Sequence, residues 1–386
     1  MRPEPAGKGR DMQYTPPNGI VPAGGIPFDP DAFDAAMLNT IIAPWRPDVR
    51  IAQVRVKDAK RYGDGMVSTA ARAFLDVDYA PGTPVDVPRH LVLKLGRSPD
   101  FMIGPLYQNE VRFYNVLRPE VTDIEAPFTL GGAYDPTTQA FALLLGDLTD
   151  HGARFPNVLS RTTLDEVRAI LEVLARLHAR YWRSPRLTQD LGFLETHTEG
   201  ELARFMHDFV PHAIQQEIDS ENFKREMVAR LRTTGDELRR GVARLHQHQQ
   251  TLPHTVLHGD THIGNTYLLP DGRAGLLDWQ LTVRGHHMHD VNYLITTALP
   301  IDQRRDNERD LLAFYLDRLK AHGATDVPGF AESWDEYRRC LVWGVYIGWL
   351  TTNIANYGWE ITVLNHLRLT TAFEDHDTAA LLRALD

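Results

Sequence analysis

The chain is 386 residues long, enough for two domains or one two-lobed unit with a sizeable core. It carries 51 acidic against 41 basic side chains, a net charge of −10, which argues against nucleic acid as the main partner because phosphate backbones favour clustered Lys and Arg. Cys340 is the only cysteine, so an internal disulfide and a cysteine-based zinc site are both excluded, and its apolar neighbours mark a buried structural thiol. No apolar run approaches the ~20 residues of a membrane span, the longest being residues 341–350, and the N-terminus shows no signal-peptide core. The expectation is a cytoplasmic protein that acts on neither membranes nor nucleic acid.

In chain order, residues 1–28 are dense in Pro and Gly and read as a flexible arm. Asp29-Pro30 is a helix start, an N-cap followed by Pro, and Phe33, Met37, Leu38, Ile41 and Ile42 give the helix an apolar face. A β-rich stretch follows: Val49 to Val56, residues 67–79, and Leu91 to Leu95 as a third strand. A helix is expected over 104–117, then a hairpin formed by 128–134 and 139–145, turning at Asp135-Pro136. After Gly146 the character changes. An amphipathic helix runs from Leu164 to about Trp182 behind a Thr162 or Thr163 cap, and residues 199–250 are helical. Beyond 280, helices are expected at 290–298, 302–322, 330–355 and 364–385. Strands first and helices later imply an α+β class with two lobes: 29–145, and 146–386.

The chemistry concentrates in residues 256–280. A short apolar run ends in His258-Gly259-Asp260, a loop closes on Asn265, and a hairpin turning at Asp271-Gly272 returns the chain to Asp278. Asp260, Asn265 and Asp278 can therefore converge. Two carboxylates and an amide without a thiolate make a hard oxygen set that suits Mg²⁺ better than zinc. Two carboxylates ~4 Å apart would repel by about 4 kcal/mol at an effective dielectric near 20, so their proximity demands a cation.

Gly63 and Gly65 lie between two strands, where backbone N–H groups can approach phosphate; alone they are as readily a plain turn. Lys94, taken alone, reads as an edge-strand lysine reaching solvent; paired with Glu110 on the next helix it becomes a buried ion pair. Two histidine groups stand out, His254/His258/His262 and His286/His287/His289. Pro253, Gly259 and Gly264 argue against the helix a zinc stripe would need, so these read as structural or substrate-adjacent, with His258 supporting the loop beneath Asp260. Trp343, Tyr346, Trp349 and Tyr357 read as core, with some available to an acceptor pocket, and Glu217, Asp219 and Glu221 as a solvated helix face. No GxxxxGK[ST] run is present, which excludes a P-loop enzyme.

The combination His258-Gly259-Asp260-Thr261-His262-Ile263-Gly264-Asn265 and Leu277-Asp278-Trp279-Gln280 resembles the aminoglycoside phosphotransferase and choline kinase superfamily, of protein-kinase-like fold, and within it the bacterial ecdysteroid-kinase-like branch. Asn109 to Tyr114, Leu143 to Leu148 and Leu177-His178-Ala179 support the likeness, which spans roughly residues 45–385. The resemblance implies an ATP- and Mg²⁺-dependent kinase for a small-molecule hydroxyl. It implies Asp260 as the catalytic base, Asn265 and Asp278 as metal ligands, and Lys94 on the α- and β-phosphates with Glu110 as its partner. A hinge at Leu145, Gly146, Asp147 and Leu148 would hold adenine, and Asp290 would brace the catalytic loop from below. The family usually has Glu at the position of Gly146. A catalytically silent nucleotide-binding relative is the alternative reading, and a zinc hydrolase a more distant one.

Overall fold

The computed structural model describes residues 25–60, 69–98 and 103–385. Most of the expected arm (1–24) and the glycines Gly63 and Gly65 lie outside these residues.

A five-stranded antiparallel sheet of order β1-β2-β3-β5-β4 forms the smaller lobe: β1 (Ile51–Lys60), β2 (Ala71–Tyr79), β3 (His90–Leu95), β4 (Thr129–Tyr134) and β5 (Phe141–Gly146). Successive side chains alternate between faces, so each strand feeds two cores. On β5, Ala142 and Leu144 join Leu75, Leu91 and Leu93 beneath α1 (Ala35–Ile42), which contributes Leu38, Ile41 and Ile42. Phe141 and Leu143 face the other way, towards Tyr107 and Val111 of α2 (Gly104–Arg112). Asp29-Pro30 starts only a three-residue 3-10 turn, because Phe33 closes it and Asp34 then caps α1, accepting from Met37 N–H at 2.8 Å. The helix expected over 104–117 is α-helical to Arg112 and continues as a π turn, Phe113–Leu117.

The larger lobe is helical. α3 (Leu164–Arg180) opens on a capping box in which Thr163 and Glu166 satisfy each other's backbone N–H groups. α4 (Glu201–Arg204), α5 (Val210–Ser220), α6 (Asn222–Arg230) and α7 (Gly235–Gln249) lead to four three-residue strands: β6 (Thr255–Leu257), β7 (Thr266–Leu268), β8 (Ala274–Leu276) and β9 (Val283–Gly285). β7 and β8 form the expected hairpin, and β6 pairs antiparallel with β9. The helices α8 (Met288–Ala298), α9 (Ile301–Ala321), α10 (Phe330–Trp343), α11 (Ile354–Tyr357), α12 (Trp359–Asp375) and α13 (Thr378–Arg383) complete the lobe. The single helix expected over 330–355 is instead α10, a π segment (Gly344–Leu350) and a break at which Asn353 caps α11 through Ala355 N–H. Likewise the stretch 364–385 is divided by Asp377, whose backbone is left-handed (φ 47°). The two-lobed α+β arrangement is thus the one observed. Among the described residues, no helix is long and apolar enough to cross a membrane.

Candidate active site

Lys94 sits in β3 opposite Arg72 of β2 and Leu143 of β5, so it shares their face of the sheet, the one turned to α2. The residue is 4% exposed, and its amine donates to Glu110 at 2.7 Å and to Asp278 Oδ1 at 3.0 Å. The solvent-reaching alternative for Lys94 is therefore not what the fold adopts. Glu110, 1% exposed, has its carboxyl pushed up to about 6 by burial and by Asp278, with Lys94 opposing the shift. Burial would also raise Asp278, but the positive charges of Lys94 and Arg72 hold its carboxyl below the usual range. Asp278 is held in left-handed backbone (φ 60°, ψ 72°), a costly conformation for a residue other than glycine that tends to persist at functional positions.

Asp260 and Asn265 meet across the preceding loop. Asn265 Nδ2 donates to the Asp260 carbonyl and to Asp260 Oδ2, both at 2.9 Å. That orientation leaves Asn265 Oδ1 as an oxygen donor. The hairpin that follows Asn265 is closed by Leu277 N–H, which donates to the Asn265 carbonyl at 2.8 Å. Burial first, and the charge of Asp278 second, push the Asp260 carboxyl up to about 8.

The loop is supported from below by Asp290. Its carboxylate accepts from His258 N–H (2.7 Å), Gly259 N–H (2.9 Å) and His178 Nε2 (3.2 Å), and His178 Nδ1 lies 2.7 Å from the Tyr315 hydroxyl. Thr261 Oγ1 adds a bond to the Asp290 carbonyl at 2.7 Å. His258 Nε2 faces the Leu277 carbonyl at 2.7 Å. A carbonyl only accepts, so that nitrogen carries the proton and Nδ1 receives the Asp260 N–H at 3.2 Å. Gly259 is required by its φ of 85° and by space: a Cβ there would overlap the Leu281 carbonyl oxygen.

The two lobes are joined at the same place. Asn109 Nδ2 donates to the Gln280 and Thr282 carbonyls (2.9 and 2.6 Å), and the Phe113 ring stacks on Trp279 at 3.7 Å. Gln280 Oε1 also accepts from Thr69 Oγ1 at 2.9 Å. Sequence reasoning missed Arg72 and assigned no task to Asn109; the adjacency of Asn109 to Glu110 was the available signal for the second.

At the segment 145–148, Gly146 N–H donates to the Phe128 carbonyl (2.9 Å) and Asp147 N–H to the His90 carbonyl (3.1 Å). Asp147 then caps the 3-10 turn Leu148–His151.

Beside Asp260 lies a cluster of aromatic rings. His262 Nε2 lies 3.9 Å from Asp260 Oδ2, and its ring is 5.9 Å from both Tyr293 and Trp349, with Tyr357 5.7 Å beyond Trp349. Trp343 and Tyr346 face a different recess. The His254/His258/His262 run forms no common stripe, for His254 turns to the Gln249 carbonyl and His258 to Leu277. His286 and His287 are buried, while His289 donates Nε2–H to the Gly259 carbonyl at 3.0 Å. Of the acidic patch, Glu217 accepts from the buried Lys224 at 2.7 Å and from Asn353 at 3.0 Å, so it is bound into the fold.

Among solved structures, the chain is similar to a choline kinase from Streptococcus pneumoniae (14% identity, 83% of this chain and 94% of that one, TM-score 0.44). It is also similar to a macrolide 2'-phosphotransferase from Brachybacterium faecium (15%, 84% and 95%, TM-score 0.41) and to an ethanolamine kinase from Plasmodium vivax (11%, 88% and 87%, TM-score 0.44). At these scores the likenesses carry no weight of their own. No curated protein matches the chain. The profile of the ecdysteroid kinase-like family matches residues 63–325, about two thirds of the sequence, and takes in β3, α2, the Asp260 loop and Asp278. The chain belongs to the ecdysteroid kinase-like family.

Proposed function

We propose that this protein is a phosphotransferase that moves the γ-phosphate of ATP to a hydroxyl group of a small molecule. The observation that carries the reading is the meeting of Lys94 on β3 and Glu110 on α2 with Asp260, Asn265 and Asp278, more than 140 residues further along the chain. Phosphoryl transfer asks the protein mainly for positioning and charge neutralisation, and this group supplies both.

Asp260 accepts or orients the proton of the acceptor hydroxyl; burial and Asp278 push its carboxyl up to about 8 without metal, and Mg²⁺ held beside it would favour the ionised form that a general base requires. Lys94, held by Glu110, directs its amine at the α- and β-phosphates. Asp278 and Asn265 Oδ1 suit Mg²⁺, because the donor set is all oxygen and two carboxylates here lack enough cationic charge without it. Bound there, Mg²⁺ would neutralise phosphate charge. Adenine would lie against residues 145–148. With the Gly146 and Asp147 amides engaged, its hydrogen bonds fall to carbonyl oxygens and to the Leu148 N–H, which heads a 3-10 turn and has no partner within it. Gly63 and Gly65 are assigned to the phosphates from sequence alone.

The rings of His262, Tyr293, Trp349 and Tyr357 beside Asp260 favour an acceptor alcohol with an apolar body over a polycationic one. We assign the activity to the cytoplasm.

The test is ATP consumption with Mg²⁺ across a panel of sterols, other lipophilic alcohols, choline-like alcohols and amino sugars. With an accepted substrate, Asp260→Ala should lower kcat by roughly 10²–10⁴ while ATP binding persists. Unchanged turnover would refute the role of Asp260. ATP binding without turnover on any acceptor would point instead to the catalytically silent reading.

A further inference from the structure

Below the loop that carries Asp260, three histidines from separate elements come together: His197 in the loop before α4, His246 in α7 and His289 in the first turn of α8. One ring nitrogen of each lies within 4.8 Å of the other two. His246 and His289 are 2% and 1% exposed, and His197 is half-buried. The His197 ring lies 4.3 Å from that of His246 and 4.6 Å from that of His289.

Buried polar atoms are normally hydrogen-bonded, and here several are not. Among the described residues, neither nitrogen of His246 has a hydrogen-bond partner, nor does Nδ1 of His289. The His289 case is the most telling. Its Nε2–H is given to the Gly259 carbonyl at 3.0 Å, so in the neutral ring Nδ1 is a bare lone pair directed into protein. A ring whose far N–H is fixed by a carbonyl while the near nitrogen is left open is the arrangement metal-binding histidines adopt. Burial also keeps His197 and His246 neutral, so their lone pairs are available. A recess of about 20 Å³ adjoins His197 and His246, walled by Leu202, Val242 and Trp343 among others, and the one cation on it among the described residues, Arg239, is paired with Asp236 at 2.8 Å. None of the described residues lining that recess is a carboxylate.

We propose that His197, His246 and His289 form a transition-metal site, with zinc(II) the ion that three imidazoles favour. This set is all nitrogen and shares no residue with the oxygen set of Asp260, Asn265 and Asp278. It also differs from the two histidine runs conspicuous in the sequence, taking only His289 from them. Bonds of about 2.0–2.1 Å require donor nitrogens roughly 3.4 Å apart, so the rings must draw closer than they stand. His197 is the one on a loop, so a shift of that loop can take its ring out of the stack. The recess beside His197 and His246 has room for one water, which would complete a tetrahedron. Through His289 the ion would hold the Gly259 carbonyl, one residue from Asp260, to α7.

The experiment uses the full chain without an affinity tag. Zinc content is measured after purification, then cobalt(II) is titrated into chelator-treated protein while visible absorption is followed. The expected result is one equivalent of zinc, and a cobalt complex with the intense absorption of a four-coordinate site of three imidazoles and a fourth ligand. His197→Ala, on the loop, and His246→Gln should each weaken cobalt binding by more than the roughly 10–100-fold that loss of an outer-shell partner costs. Asp278→Asn should leave the signal intact, separating this site from the oxygen set and from the kinase reading. Circular dichroism establishes that each variant is folded. Absence of cobalt binding by the folded wild type, or retention of the signal in either histidine variant, would overturn the proposal.

Discussion

Replacing Asp290 by Asn tests whether the Asp260 loop is held from beneath by a charged acceptor. The Asp290 carboxylate is fully buried and receives two backbone N–H groups and His178 Nε2. An asparagine keeps one oxygen and turns an NH₂ towards the remaining donors, so one N–H is orphaned and the surviving bonds lose their charge. A charge-assisted bond contributes about 1.5–3 kcal/mol and an unsatisfied buried group costs about 1–3 kcal/mol, which together give a loss of roughly 3–5 kcal/mol. With a melting entropy of roughly 0.8 kcal/mol/K for a chain this long, Tm should fall by about 4–6 °C. Displacement of the loop should lower kcat by up to about 10²-fold, with a smaller effect on the KM for ATP. Calorimetry and steady-state kinetics read the two effects. A variant that melts within about 1 °C of wild type, at unchanged kcat, would show that the loop does not depend on Asp290. Burial would raise this carboxyl, but the His178 hydrogen bond holds it below the usual range. Its contribution is therefore present at neutral pH and lost as the pH falls through the acid range.

Asp260, with its carboxyl pushed up to about 8 in the absence of metal, should release close to one proton at pH 7 when Mg²⁺ binds. Titration calorimetry in buffers of different ionisation enthalpy would measure this, and a release of zero would contradict it. By the same shift, the metal-free protein binds a proton there that the unfolded chain does not. Its stability should decline as the pH rises from about 4 to about 8, a trend that Mg²⁺ flattens. Glu110→Gln leaves Lys94 with Asp278 as its only carboxylate, and the KM for ATP should rise by roughly tenfold, about 1.4 kcal/mol; an unaltered KM would remove Glu110 from nucleotide binding. Gly259→Ala drives a methyl group into the Leu281 carbonyl and imposes a left-handed backbone costing about 1–2 kcal/mol, so both Tm and kcat should drop. Wild-type activity in that variant would show that the loop has slack the geometry does not reveal.

The parts of the fold legible in the sequence are those written in local patterns. Alternation marks β2, β3 and β5, the Thr163–Glu166 pair marks the start of α3, and Asp271-Gly272 marks the hairpin that returns the chain to Asp278. What stayed hidden depends on partners distant in sequence. β9 is three residues long, too short for a period, and exists because β6 pairs with it. The break after Leu350 has neither Gly nor Pro to announce it; the side chain of Asn353 makes it by capping α11. Arg72 enters the site through its register opposite Lys94, which no single strand encodes. His197 and His246 become neighbours of His289 only when the loop before α4 and α7 fold against α8.

The Phe113–Trp279 stack and the two bonds from Asn109 have a consequence for control. They rivet α2, which carries Glu110, to the chain immediately after Asp278. Swinging α2 away from Lys94 would tear apart a stacked ring pair and leave two carbonyls bare. The helix therefore cannot serve as a hinged switch, and the Lys94–Glu110 contact is a permanent fitting that does not wait for activation. On the proposed phosphotransferase reading, throttling would act elsewhere, on supply of the substrates or at the partly exposed Tyr357 beside Trp349. Its signature would be α2 amides that resist hydrogen exchange equally with and without nucleotide; protection that appears only on ATP binding would show the rivet to be loose.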